Sequence, residues 1–209
     1  MFDYFKEYQE WVDEGSVVTE RSVPEEVKWY IICYYAKAYD LKVLVETGTA
    51  VADTLLHVHE NFDFMFSFEL MTTYFNVAAV NLRYANVEHV QLFNCSSASP
   101  EFRSVVWNAG QPQLFYLDAH FSGEGTGSDS SLDTPDIPVR EELEMIVNHS
   151  PFKNNVIIID DARCFKGQAF HSEKYAGYPS MEELNEIVEA DYRIHHEADA
   201  FVLTPKVRS

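Results

Sequence analysis

Five short apolar segments recur along the chain after residue 41, and each has the length and composition of a buried strand. They are KVLVET (42–47), FMFSFEL (64–70), HVQLFN (89–94), PQLFYLD (112–118) and NVIIIDD (155–161). Because their apolar residues are continuous and do not alternate with polar ones, both faces of each strand are predicted to be buried, as in a parallel sheet. The intervening segments have helical character, and the alternation predicts a doubly wound α/β fold.

The C-terminal part of the chain departs from this alternation. A helix is predicted to begin at Ser180, which forms a capping box with Glu183. The following segment YRIHHEADAFVLTP predicts two strands joined by a tight turn at residues 197–199. Added to the five parallel strands, this hairpin makes a Rossmann-like sheet of seven strands, mostly parallel with an antiparallel C-terminal hairpin strand, and with helices on both faces.

The N-terminal part is predicted to be an extension (1–23) followed by a helix (24–41) that covers the sheet. Proline at position 24 suits the start of a helix. The apolar face of this helix is predicted to consist of Val27, Tyr30, Ile31 and Tyr34.

One connection is long and polar. The segment SGEGTGSDSSLDTPDIP (122–138) is rich in Gly, Ser, Asp and Pro, and a connection of this length within a compact domain is either functional or disordered. We predict a lid loop. With 209 residues, the chain is predicted to form one domain, 1–209, with a single core.

The charge balance excludes several classes of partner. The chain has 34 acidic and 15 basic residues, a formal net charge of −19, and no Lys/Arg-rich run, so nucleic acid and anionic membranes are not expected as partners. No apolar stretch approaches the roughly 18–20 residues of a membrane span. The widely spaced Cys33, Cys95 and Cys164 predict reduced thiols and a cytoplasmic location.

The motif VETGTAVADT, at the end of the first predicted strand, is the first candidate for a ligand site. Gly48 lies between Thr47 and Thr49 and would let the backbone approach a ligand, while the helix that follows presents free N–H groups. The motif is about equally compatible with a tight strand-to-helix turn that binds no ligand. The loop has only one glycine of the dinucleotide fingerprint GxGxxG.

Polar residues also end the second and third strands. Glu69 lies 21 residues after Gly48, a distance that suits hydrogen bonding to ribose hydroxyls, so the two together favour an adenosine-type ligand. Asn94 and Ser96 follow the third strand and offer groups suited to a base. Such residues also simply form turns.

Acidic residues end the fourth and fifth strands. Asp118 is followed by His120, and the pair Asp160 and Asp161 is followed by Arg163. Three carboxylates at neighbouring strand ends are unfavourable unless a cation or a proton accompanies them, which predicts a divalent metal site. The ordinary alternative for one strand-end aspartate is a helix cap.

Further along, His171 lies in the loop after the fifth strand and is a candidate to face the site. Tyr175 and Tyr178 are close to it in sequence and are candidate walls for an acceptor. Arg163 is the fourth candidate contact to the substrate.

These residues resemble a known family. VETGTAVADT, Glu69 and the five-plus-hairpin strand pattern resemble the class I S-adenosylmethionine-dependent methyltransferases. The longer pattern LDAHFSG…DTPDIPVREEL…IIIDDARCF…GYPSMEEL is similar to sugar O-methyltransferases of the macrolide deoxysugar type, and to a glycan-modifying methyltransferase domain of a large DNA virus, which would act in the host cytoplasm. The resemblance covers about residues 24–205.

The resemblance implies a cofactor and a metal. S-adenosylmethionine would be bound by Glu46, Thr47, Gly48, Thr49, Thr54, Glu69, Asn94, Ser96 and Asp118. Magnesium or manganese would be bound by Asp118, Asp160 and Asp161. The sequence departs from the family pattern at two positions. Ala52 stands where many members of the family have a further glycine. The acid of the DAH motif is spaced differently from that of the family, so Asp118 is either a metal ligand or a base.

The implied reaction is methyl transfer to a hydroxyl of a sugar such as rhamnose, in a glycan or a small molecule. A divalent ion on two vicinal hydroxyls would favour the alkoxide, and His120 or Asp118 would take the proton. Three alternatives remain open: a metal-dependent nucleotide-sugar glycosyltransferase, in which DxH binds a diphosphate; a catechol-type small-molecule O-methyltransferase; and a non-catalytic binding scaffold.

Overall fold

The computed structural model of the protein describes residues 4–13, 23–119, 137–168 and 170–206. Its strands are β1 (Val43–Thr47), β2 (Phe64–Phe68), β3 (Val90–Phe93), β4 (Leu114–Leu117), β5 (Val156–Ile159), β6 (Tyr192–Glu197) and β7 (Ala200–Pro205). The α-helices within these ranges are α1 (Tyr4–Asp13), α2 (Glu25–Ala38), α3 (Asp53–Val58), α4 (Thr72–Tyr84), α5 (Pro100–Trp107), α6 (Val139–His149) and α7 (Met181–Val188). Single 3-10 turns lie at His59–Asn61, Ala162–Cys164 and Glu173–Tyr175.

The seven strands form one sheet in the order β3-β2-β1-β4-β5-β7-β6. Strands β1 to β5 are parallel, and β7 runs antiparallel to both β5 and β6. The predicted Rossmann-like fold with an antiparallel C-terminal hairpin is therefore confirmed. The strand order reverses between β1 and β4, so their carboxyl ends lie side by side, at the position where open α/β sheets bind ligands.

Burial follows the position of each strand in the sheet. Every residue of the central strands β1, β4 and β5 is buried, and apolar clusters cover both faces of the sheet. The expectation that all five parallel strands are buried on both faces was wrong for β3, which is only partly buried, and for β2 at Phe64 and Phe66. Strand β3 lies at the edge of the sheet, where it has one neighbouring strand.

Helix α2 packs against the sheet with only half of its predicted apolar face: Val27 and Ile31 are buried, whereas Tyr30 and Tyr34 are not. Its buried residues are Val27, Trp29, Ile31, Ile32 and Ala36. Tyr34 is 49% exposed, and Tyr30 stacks on Tyr8 of α1 with ring centroids 4.5 Å apart. Apolar residues surround this helix on most sides, so its pattern alone did not select the face. The observed orientation brings Lys28 to the sheet, with its side chain only 12% exposed.

The capping box at the start of α7 is present as predicted. Ser180 accepts a hydrogen bond from the Glu183 N–H, and the Glu183 carboxylate accepts one from the Ser180 N–H. Within the described ranges, no helix combines the length and the apolar character needed to cross a membrane.

Candidate functional site

The predicted cofactor and metal residues gather at the carboxyl edge of the sheet, around the point where the strand order reverses. Glu46 and Thr47 end β1, and the Gly48–Thr49 turn follows them. Glu69, Asn94, Asp118 and Asp160 come directly or almost directly after β2, β3, β4 and β5. Thr54 lies in the first turn of α3 and is partly buried.

The closest approach in this region is between Gly48 and Asp118. Gly48 has φ +82°, and a Cβ added to it would lie 2.7 Å from the Asp118 carbonyl carbon and closer still to the oxygen. Any other residue at position 48 would therefore be strained in its backbone and would collide with Asp118, directly after β4. The Asp118 N–H in turn donates to the Thr47 carbonyl at 3.1 Å. The β1 loop and the strand-four aspartate are thus held against each other by backbone atoms.

The loop contains two further left-handed residues, Ala50 (φ +46°) and Ala52 (φ +72°). The sequence resemblance marks Ala52 as a departure from glycine, and its conformation is one that glycine adopts without penalty. An alanine there costs about 1–2 kcal/mol relative to an ordinary backbone conformation. The backbone at position 52 therefore has the left-handed conformation that a glycine would adopt, although the residue is alanine.

Glu69 stabilises this loop. Its carboxylate accepts hydrogen bonds from the Ala50 N–H at 2.8 Å and from the Met71 N–H at 2.7 Å, and the residue is 6% exposed. Burial raises the pKa of Glu69, while the backbone hydrogen bonds act in the opposite direction. Glu69 joins the β1 loop to the start of α4, and its binding to ribose stays a prediction.

Glu46 lies almost wholly inside the protein. The Ser67 hydroxyl donates to its carboxylate at 2.5 Å, and the Thr49 hydroxyl oxygen is 2.6 Å from that of Ser67. Burial raises the pKa of Glu46 to about 8, partly offset by the Ser67 hydrogen bond. Sequence reasoning missed Ser67, although it is the residue that pairs with Glu46 in the β1–β2 register.

The residues after β3 organise loops. Asn94 donates to the carbonyls of Glu69 and Leu70 at 2.9 and 3.2 Å and accepts from the Thr72 hydroxyl at 2.8 Å. The Ser96 hydroxyl accepts from the Ala98 N–H at 3.1 Å, which is a turn contact. Their roles in binding a base stay predictions.

Four carboxyl groups form what we call the acidic cluster: Asp118, Asp160, Asp161 and Asp199. Oxygen atoms of Asp160, Asp161 and Asp199 lie within 4.8 Å of one another. Asp199, in the β6–β7 turn, was not predicted, and Asp118 is not part of this tightest group. The sheet order explains the presence of Asp199, because β7 runs antiparallel to β5 and so starts at the edge where β5 ends.

Two cations contact the acidic cluster within the described part of the chain. The Lys28 ammonium lies 2.8 Å from Asp160 Oδ2, and the Tyr116 hydroxyl donates to the same oxygen at 2.8 Å. The guanidinium of Arg163 contacts both Asp161 and Asp199, and its backbone N–H donates to Asp199 at 2.9 Å. Arg163, predicted to contact substrate, is 6% exposed and is paired inside the protein.

The two cations make the carboxyl groups unequal. Burial would raise the pKa of Asp160, but the Lys28 ammonium and the hydrogen bonds from Lys28 and Tyr116 outweigh it, so the pKa is lowered. Burial and the neighbouring negative charge of Asp160 raise the pKa of Asp118 well above its usual range. Asp160 is therefore held as the anion of this pair.

The acidic cluster fits a divalent cation by its chemistry. With all four carboxyl groups ionised, the cluster would carry two more negative charges than Lys28 and Arg163 neutralise, which is the charge of one such ion. Carboxylate oxygens are the donors that Mg²⁺ and Mn²⁺ prefer. The closest ligand set is Asp160, Asp161 and Asp199, whereas the predicted set included Asp118 in place of Asp199.

The remaining predicted residues divide into two groups. His120 and residues 122–136 of the predicted lid (122–138) lie outside the described residues. Tyr175 and Tyr178 are 2% exposed, and the Tyr178 ring packs edge-on against Phe165 at 4.9 Å, so both contribute to the core next to the site. His171 is partly buried, with Nδ1 2.9 Å from the Cys164 carbonyl oxygen.

The fold is shared with solved methyltransferase structures. A Staphylococcus aureus protein designated a caffeoyl-CoA O-methyltransferase has a TM-score of 0.64 at 13% identity, covering 98% of this chain and 93% of its own. The SAH-bound methyltransferase PaMTH1 from Podospora anserina has a TM-score of 0.60 at 12% identity, with 99% and 89% coverage. The O-methyltransferase TomG from Streptomyces achromogenes, solved with SAM, has a TM-score of 0.58 at 11% identity, with 98% and 90% coverage.

No protein-family model matches the sequence, and a comparison with curated proteins finds no relative. The likeness therefore lies in the backbone over nearly the whole chain, with little identity in sequence. It establishes a Rossmann-like methyltransferase fold.

Gly48→Ala is expected to destabilise the protein by about 2 kcal/mol or more, because the added Cβ meets the Asp118 carbonyl and the left-handed backbone is strained. Urea unfolding measures this loss. Gly110→Ala is the matched control, since a Cβ there meets no atom within 4 Å, and it should change stability by less than about 0.5 kcal/mol. Equal effects of the two substitutions would refute the close-approach argument.

The raised pKa of Glu46 should make the free energy of unfolding depend on pH. Its pKa is about 8 in the folded protein against 4.5 for an ordinary glutamate, so the folded state retains a proton that the unfolded state releases in this window. The free energy of unfolding should therefore fall as pH rises from 5.5 to 8. Glu46→Gln should flatten this slope, whereas Glu101→Gln, at an exposed position, should not; denaturant unfolding at a series of pH values provides the comparison.

Proposed function

We propose that the protein is an S-adenosylmethionine-dependent O-methyltransferase that transfers a methyl group to a sugar hydroxyl with the help of a divalent metal. The observation that carries this proposal is the contact between Gly48 and the Asp118 backbone. It joins a loop of cofactor-binding type to the acidic cluster, so one cleft would contain both the methyl donor and groups that act on the acceptor.

The cofactor is supported by the fold and by the residues of the β1 loop. Neighbours with this fold were solved with SAM or SAH. In the present chain, Glu46, Glu69 and Asn94 provide polar groups around the same edge, and Gly48 allows close approach to the backbone. These features match the needs of a ligand with a methionine part, a ribose and a base.

The reaction needs the acceptor oxygen in line with the methyl carbon, and such positioning can supply about 7–11 kcal/mol of the barrier. The oxygen forms the new C–O bond, the C–S bond breaks with its electrons passing to sulfur, and the hydroxyl proton goes to a base. Asp160, Asp161 and Asp199, with Asp118 beside them, would hold the divalent ion. When bound, such an ion orients vicinal hydroxyls and acidifies them.

Two residues are candidates for the proton acceptor. Asp118 lies against the β1 loop through its backbone, which supports a role close to the proposed methyl donor. His120 is two residues further along. Which of the two residues accepts the proton stays untested.

A catechol-type acceptor is the second candidate function. One structural neighbour is designated a caffeoyl-CoA O-methyltransferase and another acts in tomaymycin synthesis. Catechols also present vicinal hydroxyls to a metal, so the acidic cluster is compatible with either acceptor. The longer sequence pattern favours the sugar.

The proposed compartment is the cytoplasm. Cys33, Cys95 and Cys164 are free thiols. Proteins of oxidising compartments usually pair their cysteines, which supports a reducing environment.

Calorimetry should show binding of S-adenosylhomocysteine and none of UDP or GDP, because the β1 loop and Glu69 suit an adenosine ligand while the acidity of the chain disfavours a diphosphate. The reverse result would favour the glycosyltransferase. Cofactor binding without transfer to any acceptor would favour the scaffold.

Transfer assays with labelled cofactor should yield methylated product from rhamnose-containing oligosaccharides in preference to catechols. EDTA should lower the rate at least tenfold and Mg²⁺ or Mn²⁺ should restore it, since removing a metal's Lewis acidity removes a large share of the catalysis. Undiminished turnover in EDTA would eliminate the metal from the proposal, and product from catechols alone would replace the sugar.

A further inference from the structure

Lys28 is the residue that links the covering helix to the acidic cluster. Its ammonium lies 2.8 Å from Asp160 Oδ2 and 3.4 Å from Glu25, which is mostly exposed. The helix around it packs Val27, Ile31 and Ile32 into the core. Burying an ammonium at such a position is unfavourable unless a carboxylate compensates it, and Asp160, 1% exposed, is that carboxylate.

The contact on Asp160 is shared with Tyr116, whose hydroxyl donates to the same oxygen at 2.8 Å and lies 3.5 Å from Asp118. Asp160 therefore receives a positive charge and a hydrogen bond from groups of the protein itself. Asp118, at the end of the adjacent strand, receives no such cation contact within the described ranges.

A divalent ion bound at the cluster would be repelled by this ammonium. Lys28 contacts Asp160 directly, so an ion that used Asp160 as a ligand would lie only several ångströms from the ammonium. At that distance the repulsion between two buried cations exceeds thermal energy even in a medium of high effective dielectric constant. Lys28 and a divalent ion therefore compete for the negative charge of Asp160.

We propose that Lys28 is a built-in cation that neutralises Asp160 and competes with the divalent ion for the acidic cluster, an inference that rests on the metal part of the proposed function. Lys28 keeps the cluster stable when no metal is bound, and it weakens metal binding. Metal affinity is thus set by a residue of helix α2 as well as by the carboxylates at the strand ends.

The test compares Mn²⁺ binding to the full chain by calorimetry, together with thermal melting with and without Mn²⁺, for the wild type and Lys28→Met. The variant should melt at a lower temperature without metal, because Asp160 loses its partner. It should bind Mn²⁺ about tenfold more tightly or better, because the repulsion is gone. Its melting temperature should also rise more on adding Mn²⁺.

Three control variants make the comparison specific. Lys28→Arg keeps the positive charge and should resemble the wild type. Lys153→Met removes a lysine paired with Asp191 at 3.4 Å, outside the cluster, and should leave Mn²⁺ affinity unchanged. Lys28→Met combined with Asp160→Asn should lose the tighter binding, which distinguishes the cluster from other acidic groups of this chain.

A purely structural ion pair predicts a different result. Lys28→Met would then lose stability without gaining Mn²⁺ affinity, and equal or weaker binding than the wild type would overturn the proposal. Absence of Mn²⁺ binding in both proteins, or a variant that stays unfolded with Mn²⁺ present, would overturn it as well. Calorimetry with S-adenosylhomocysteine on the same samples reports separately on the proposed cofactor, so failure of the methyltransferase proposal is distinguishable.

Discussion

The close approach of β1 and β4 at their carboxyl ends is the constraint on which the site depends. Gly48 lies so near the Asp118 carbonyl that no side chain fits between them, and the Asp118 N–H is bonded back to Thr47. The strand order reverses at this point, so the position of the site is a property of the topology. A candidate donor site and a candidate acceptor site are consequently joined by a few backbone atoms.

Charge balance is the second organising feature. A carboxyl-rich cluster at the ends of buried strands is stable only if cations accompany it, and here Lys28 arrives from α2 while Arg163 comes from the turn after β5. Tyr116 adds a hydrogen bond from within β4. The acidic cluster and its two cations thus come from four separate parts of the chain, and the negative charge of the cluster is only partly compensated by protein groups.

Much of the fold could be predicted from the sequence, because continuous apolar runs such as VIII in β5 leave little choice of structure. The partial burial of β3 could not, since it depends on which strand lies at the edge. Lys28 was missed because helix α2 carries apolar residues on most sides, so its buried face was ambiguous. Asp199 was missed because its proximity to Asp160 follows from the pairing of β7 with β5, which local pattern does not reveal.

The turn between β6 and β7 has a consequence for protein engineering. Tight hairpin turns at the end of a sheet are the usual places to open a chain for circular permutation or to insert another domain. This turn carries Asp199, which accepts from the Arg163 backbone and contacts its guanidinium. New termini placed there would free Asp199 from its fixed position in the acidic cluster and weaken its contacts with Arg163, so the C-terminal hairpin is a poor point of attachment for a fusion partner.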